Sequence, residues 1–196
     1  MSDGTCPWGV SPPEYRRYHD EEWGVPIVDD VAILEKLCLE GFQSGLSWLT
    51  ILRKWDAFRR AFVGFDPAVI ASFTARDVER LLGDASIVRH RGKIAATIAN
   101  AQATLSVQKA GESLASLLWR HEPKPRRALR ELGELPASTA ESTALSKDLR
   151  RRGFRFVGPT TAYAAMQSLG LVNDHLARCP ARPRVEALRR ALVRAT

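Results

Sequence analysis

Two cysteines and two histidines are placed so that the chain could bring them to a single metal ion. His175 and Cys179 are four positions apart in Leu171-Val-Asn-Asp-His-Leu-Ala-Arg-Cys179, about one helical turn, so their side chains can point the same way. Near the other end Cys6 and His19, twelve residues between them, offer a second pair. Thiolate and imidazole together favour Zn2+, and four protein ligands leave no open position, so such a metal would be structural. Spacing alone equally suits two unrelated pairs on separate surfaces. His90, flanked by Arg89 and Arg91, and His121 have no cysteine nearby and read as non-ligands. Cys38 sits in an apolar helical setting and reads as core.

A second group could do chemistry on a base. Trp8, Tyr15, Tyr18, Trp23 and Trp48 fall in the first quarter of the chain, around Glu40, Gln43 and Ser47. Aromatic faces with one carboxylate make a cage for a flat, cationic base, although aromatics at helical spacing also suit a plain core. Glu40 closes an apolar run beside Gly41, and a carboxylate there needs a partner or a task. A third group is Gly153-Phe-Arg-Phe-Val-Gly158 followed by Pro159, Thr160 and Thr161. A tight glycine turn at a helix start presents backbone N–H groups that can hold a DNA phosphate. Phe154, Phe156 and Val157 would pack that turn, Gly158 would admit the phosphate, and Thr160 or Thr161 could add a hydroxyl. Lys147, Arg150, Arg151, Arg152 and Arg155 would supply countercharge. Such contacts position a duplex without reading its sequence; a plain helical turn with a solvated basic flank is the alternative.

The elements that must position these residues read as helices throughout. Pro12 and Pro13 open one over Glu14–Glu22, and Asp29 or Asp30 caps the next, Val31 to about Phe42. Ser47 caps a helix through Phe62, Asp66-Pro67 starts a short one, and Thr74-Ala-Arg-Asp77 resembles a capping box ahead of Val78–Leu82. Helices follow over Arg91–Gln108, Ser113–Trp119, Ser142–Arg152 and Thr160–Leu169, with Gly153 as a left-handed C-cap. Residues 120–140, with three prolines, form the irregular stretch. Asp174–Cys179 reads as a further helical turn, and Val185–Val193 as an amphipathic tail. Alternating strand patterns are nearly absent, so the expected fold is all-α.

The 196 residues suffice for one sizeable core or two small lobes sharing one. No apolar run is long enough to span a bilayer and the N-terminus lacks a signal-peptide profile, so a cytoplasmic protein without membrane attachment is expected. Charge is uneven: residues 1–119 carry 13 basic and 15 acidic side chains, and residues 120–196 carry 16 and 7. An excess confined to one part of a chain suits a polyanion-binding face, although arginine-rich solvent-facing positions would give it too. Three cysteines do not make a disulfide framework.

Several of these stretches together resemble the bacterial 3-methyladenine DNA glycosylase I family. They are Cys6-Pro-Trp-Gly, Tyr18-His-Asp-Glu-Glu-Trp-Gly-Val-Pro26, Leu39-Glu-Gly41 with Gly45-Leu-Ser-Trp48, Ile87-Val-Arg-His-Arg-Gly-Lys-Ile94, Gly153-Phe-Arg-Phe-Val-Gly158 and Gly170-Leu-Val-Asn-Asp-His175. The resemblance implies a helix-hairpin-helix glycosylase fold closed by a structural zinc clip, one Zn2+ per chain, on Cys6, His19, His175 and Cys179. It implies one catalytic unit of two helical lobes: a clipped terminal lobe of about 1–26 plus 170–196, and a lobe of about 27–169 carrying the hairpin 153–158. It also implies hydrolysis of the N-glycosidic bond of 3-methyladenine in double-stranded alkylated DNA, by a monomer with no nucleotide cofactor. Glu40 would accept hydrogen bonds from the base, Trp48 would stack on it, and Tyr18 would contact it. Leu46 is the expected wedge in the duplex.

Some positions depart from related patterns. Many helix-hairpin-helix glycosylases carry a catalytic Asp in V-D-x-H; here the segment is Val172-Asn173-Asp174-His175, and Asp174 is not taken as its substitute. No pocket lysine stands out for Schiff-base chemistry, so a monofunctional enzyme is expected. Phe42 occupies a slot where a polar residue is expected, at the pocket rim. The tail with Arg182, Arg184, Arg189 and Arg190 would extend a DNA face or cap the metal lobe. A non-catalytic DNA-binding module and a zinc-stabilised interaction domain are the competing classes. The charged aromatic pocket argues against the first, the hairpin and the local basic excess against the second.

Overall fold

The longest apolar stretch sets the centre of the fold. In the computed structural model, which describes residues 4–192, it forms a helix over Asp30–Gln43 in which every residue from Ile33 to Phe42 is buried. A helix buried on all sides must be covered on all sides, and the remaining helices do this. In chain order they are α1 (Pro13–Glu21), α2 (Asp30–Gln43), α3 (Trp48–Ala61), α4 (Pro67–Ala71), α5 (Ala75–Gly83), α6 (Arg91–Lys109), α7 (Leu114–Trp119), α8 (Ala140–Arg151), α9 (Pro159–Ser168) and α10 (Ala181–Ala191). Short 3-10 turns lie at Pro7–Gly9, Val63–Phe65 and Leu132–Glu134, and no strand occurs among the described residues. Helix α2 contacts α3, α6, α7 and α9, while α4 and α5 pack on α6, α8 on α9, and α1 on α3. None of these helices is long and apolar enough to cross a membrane.

Side-chain caps set many of the boundaries. Asp29 accepts from the Ala32 N–H at 2.8 Å, and Ser47 from the Thr50 N–H at 3.2 Å. Helix α8 begins two residues before the expected start, because Thr139 and Ser142 form a reciprocal capping box at 2.8 and 3.1 Å. His90 caps α6, its Nδ1 accepting from the Lys93 N–H at 3.2 Å.

One expected element is absent. Residues 171–180 form bends and turns, not a helical turn over Asp174–Cys179. Their polar groups are satisfied from outside: the Ala177 N–H donates to the Leu129 carbonyl at 2.7 Å, within the proline-rich 120–140 stretch. The last helix starts four residues earlier than the expected tail and ends at Ala191; Val193, its expected end, lies outside the described residues.

Between α8 and α9 the chain makes the expected glycine turn, with Gly153 at φ 95°. Phe154 and Val157 are buried, but Phe156 is 40% exposed, so the turn is packed by two of the three expected side chains. Phe156 instead leans over Gly41, where an added Cβ would lie 3.2 Å from that of Phe156. Asn100 of α6 clamps the turn, accepting from the Arg155 N–H at 2.7 Å and donating to the Arg155 carbonyl at 3.2 Å. Ser146 holds the Val157 carbonyl at 2.6 Å. Asn100→Leu keeps the bulk and removes both bonds, so the unfolding free energy should fall by about 2 kcal/mol in urea denaturation. An unchanged midpoint would show that the clamp contributes nothing.

Candidate active site and metal centre

Cys6, His19, His175 and Cys179 converge and are all buried, with their ligand atoms within 4.8 Å of one another. Cys6 precedes the Pro7–Gly9 turn, His19 lies in the last turn of α1, and the other two lie on the irregular 171–180 segment. Their convergence therefore comes from a folded loop, not from helical spacing. His175 Nδ1 is 3.1 Å from His19 Nε2, Cys179 Sγ is 3.4 Å from each of these nitrogens, and Cys6 Sγ is 3.9 Å from His175 Nδ1. Tetrahedral zinc, with bonds of about 2.0 Å to nitrogen and about 2.3 Å to sulfur, would set N···N near about 3.3 Å and N···S near about 3.5 Å. The donor set fits.

The second ring nitrogens support the same reading. His19 Nδ1 is 2.7 Å from Asp20 Oδ1, and His175 Nε2 is 3.0 Å from the Trp23 carbonyl. Donating there leaves Nε2 of His19 and Nδ1 of His175 to turn their lone pairs toward the centre. Burial pushes the Cys6 thiol up to about 12 and the His175 imidazole down to about 4. The neutral imidazole is the ligand form, whereas the thiolates need a nearby dication to offset their burial. Gly9 lies flush against the His19 ring, where an added Cβ would overlap it. Among the described residues this is the cluster of its kind; His90 caps α6, and His121 Nε2 sits 3.3 Å from Asp148.

The five aromatic residues named from the sequence form one linked set with two ends, joined by Trp8, whose ring centroid lies 6.0 Å from that of Tyr15 and 6.4 Å from that of Tyr18. Trp8 and Trp23 meet at 4.8 Å between ring centroids and cover the metal cluster, 5.1 Å from His19 and 4.7 Å from His175 respectively. Tyr18 and Trp48, 5.4 Å apart, form a second group with Trp55. Tyr15 bridges toward it, its hydroxyl accepting from the Leu49 N–H at 3.1 Å. The indole N–H of Trp48 is buried without a partner, an orphan donor within this group.

Glu40 neighbours Tyr18, where its charge acts on the phenol. It is 5% exposed, and burial lifts its carboxyl to about 7, against the pull of Lys36 and a hydrogen bond with Ser168. Burial, then the charge of Glu40, raises the Tyr18 phenol well above its usual range. Phe42 does not reach this group; it is fully buried against Phe58 and Phe62, at 4.6 and 5.9 Å, so it shapes the core and not a pocket rim. Leu46 is 42% exposed at the tip of the loop joining α2 to α3.

At the hairpin, α9 starts at Gly158 without a side-chain cap, leaving N–H groups of its first turn available. Arg150 reaches over, its Nη2 3.6 Å from where a Cβ on Gly158 would sit. Thr160 is exposed and Thr161 half-buried. Of the five expected countercharges, Arg151 and Arg152 are tied to Asp148 at 3.3 Å, and Arg152 also to Glu112 at 2.9 Å. Among the described residues Lys147, Arg150 and Arg155 pair with no carboxylate. Arginines of α10 are largely engaged internally: Arg182 donates to the carbonyls of Asn173 and His175 at 3.0 and 2.6 Å, and Arg189 to that of Leu171 at 2.8 Å. Arg184 holds the Asp20 carbonyl. The tail caps the 171–180 loop. Asp174 is likewise tied up, by Tyr163 and Arg126 at 2.6 Å each and Gln167 at 2.9 Å.

Two residues of the Glu40 group escaped the sequence reading: Trp55 and Lys36, whose ammonium lies 4.2 Å from the Trp55 ring centroid. Lys36 precedes Glu40 by one turn on a buried helix, and that i, i+4 relation is the signal that could have found it.

Known proteins resemble this chain along most of its length. The methyladenine glycosylase family model matches residues 8–182. The DNA-3-methyladenine glycosylase 1 of Escherichia coli K12 is 49% identical over 177 residues, covering 89% of this chain and 94% of its own. The DNA-3-methyladenine glycosylase of Haemophilus influenzae is 46% identical over 178 residues, covering 89% and 96%. The structure of 3-methyladenine DNA glycosylase I from Staphylococcus aureus, solved for its recognition of 3-methyladenine, superposes with a TM-score of 0.88 at 37% identity over 93% of this chain and 98% of that one. The all-helical scaffold is thus that of a base-excising glycosylase. The chain belongs to the methyladenine glycosylase family, enzymes that hydrolyse N-glycosyl bonds.

The raised carboxyl of Glu40 makes a prediction about stability. Between its ordinary 4.5 and about 7 the folded state binds the extra proton, so stability is lost as pH rises through that window. Relative to Glu40→Gln, the wild type should lose about 3 kcal/mol between about pH 4.5 and about pH 7. Parallel stability curves for the two proteins would contradict it.

Proposed function

We propose that this chain excises 3-methyladenine from alkylated duplex DNA, hydrolysing the N-glycosidic bond and leaving an abasic site. The observation that carries the reading is Glu40, a buried carboxylate whose charge acts on the Tyr18 phenol, itself packed on Trp48 and Trp55, in a chain of this family. Methylation at N3 makes the base cationic and a good leaving group, so less catalytic power is needed than for a normal base. A lesion that pairs weakly leaves the stack cheaply and can be tested in a pocket outside it. There Trp48 stacks on the base, Tyr18 contacts it, and the Glu40 carboxylate accepts its hydrogen bonds and stabilises its positive charge. The unpartnered Trp48 N–H is a donor awaiting an acceptor.

The duplex is held by the helix-hairpin-helix formed by α8, the 153–158 turn and α9. The first turn of α9 with Gly158, Thr160 and Thr161 takes a phosphate, and Lys147, Arg150 and Arg155 add countercharge. Leu46, exposed at its loop tip, fills the gap left by the base. The enzyme is monofunctional and monomeric and works in the cytoplasm. Its two terminal segments form a lobe clipped by one structural Zn2+ on Cys6, His19, His175 and Cys179. When bound, the ion supplies the positive charge that allows two buried thiolates and ties the chain ends together.

Chromatography of bases released from methylated duplex DNA tests the reaction. Free 3-methyladenine should appear with 7-methylguanine left in place, and Glu40→Gln should lower its release about a hundredfold. No released base from a folded, metal-loaded sample would sink the enzymatic reading. Elemental analysis should find one zinc per chain; removing it with a chelator, or Cys179→Ser, should lower the melting temperature by several degrees or more. A zinc-free protein with the same melting curve would exclude the clip.

A further inference from the structure

Lys36 is buried in the aromatic group, on the same helix as Glu40 and one turn before it. Its ammonium lies 4.2 Å from the Trp55 ring centroid and 4.9 Å from that of Tyr18. This is the position an arriving cation would be expected to take over those faces. A fixed positive charge in a pocket for a cationic base opposes binding, unless it serves another group there.

The surrounding charges identify that group. Glu22, just beyond α1, meets the ammonium at 3.1 Å but is 40% exposed, so water stabilises its charge without help. Glu35 of α2 is matched by Arg59 of α3 at 2.6 Å and also accepts from the Trp55 indole. Ser168 of α9 offers Glu40 only a hydroxyl, and Tyr18 of α1 is held in its neutral form. Lys36 is the charged group whose field favours the ionised carboxylate of Glu40. Conversely Glu22, Glu40 and Glu35 together resist the burial that pulls the Lys36 ammonium toward neutrality.

We propose that Lys36 is a positioning residue of the base pocket, the resident counter-ion whose field eases ionisation of Glu40 before a base arrives. Its role in catalysis rests on the proposed reading of Glu40 as the group that meets the base. An opposite charge within about 4–6 Å favours a carboxylate strongly enough to move its titration by about one pH unit or more.

The test follows the Glu40 side-chain carboxyl by carbon NMR in the metal-loaded full chain, from about pH 5 to about pH 9, with Glu40→Gln to assign the signal. Lys36→Met should move the Glu40 midpoint up by about one unit or more, while Lys36→Arg should leave it near the wild-type value. The acid limb of 3-methyladenine release should move with the carboxyl. A Lys36→Met protein with a native amide spectrum and an unmoved Glu40 midpoint would overturn the proposal. If the methionine variant does not fold, Lys36→Gln removes the same charge with a polar end and carries the same expectation. A carboxyl that shifts while the release profile stays put would uphold the Lys36–Glu40 pairing and remove Glu40 from base recognition.

Discussion

Closure of the chain on itself at Cys6, His19, His175 and Cys179 is the constraint on which the rest of the arrangement depends. The segment that carries two of these residues has no regular secondary structure, so much of its backbone takes partners from elsewhere in the chain. Side chains and distant backbone supply them. Arg182 and Arg189 take the carbonyls of Leu171, Asn173 and His175, the 120–140 stretch takes the Ala177 N–H, and Asp174 is held by Tyr163, Arg126 and Gln167. Much of the basic excess of the last third is thereby used inside the molecule. Charge counted along the sequence overstates what faces a polyanion; at the hairpin, Lys147, Arg150 and Arg155 are the basic side chains not matched by a carboxylate among the described residues.

Helix α2 sets the opposite problem. It lies at the centre of the core yet carries Glu35, Lys36 and Glu40 below the surface. Burying an unpaired charge is costly, and pairs recover that cost only with good geometry. Glu35 has Arg59 and the Trp55 indole; Lys36 has Glu22 and two ring faces; Glu40 has the weakest set. A helix built only for packing would carry leucine at all three positions. Where a local rule of folding is broken without full compensation, function is the usual reason.

The helical scaffold was legible because its signals are local. Asp29, Ser47, Thr74 and Gly153 act over three or four residues, and they fall where the chain turns. The convergence of Cys6, His19, His175 and Cys179 was legible as residue types that share a chemistry, although no helical turn forms at 174–179: a loop pinned by distant arginines reaches the same convergence. The surroundings of Phe42 and Phe156 could not be read, because each depends on what a neighbouring element presents. Phe42 finds Phe58 and Phe62, whereas Phe156 finds a glycine and stays half outside. Lys36 was hidden by convention, since a lysine in a helix is expected to reach water.

The contact of Phe156 with Gly41 joins two places that the sequence keeps far apart. Gly41 directly follows Glu40, and Phe156 lies two residues before Gly158 on the hairpin. In the proposed reaction a strand gripped at the hairpin and a base offered to the carboxylate are therefore measured from one shared point. Bulk added at Gly41 would press on Phe156 and be felt at the hairpin, so the glycine acts as a spacer between the two.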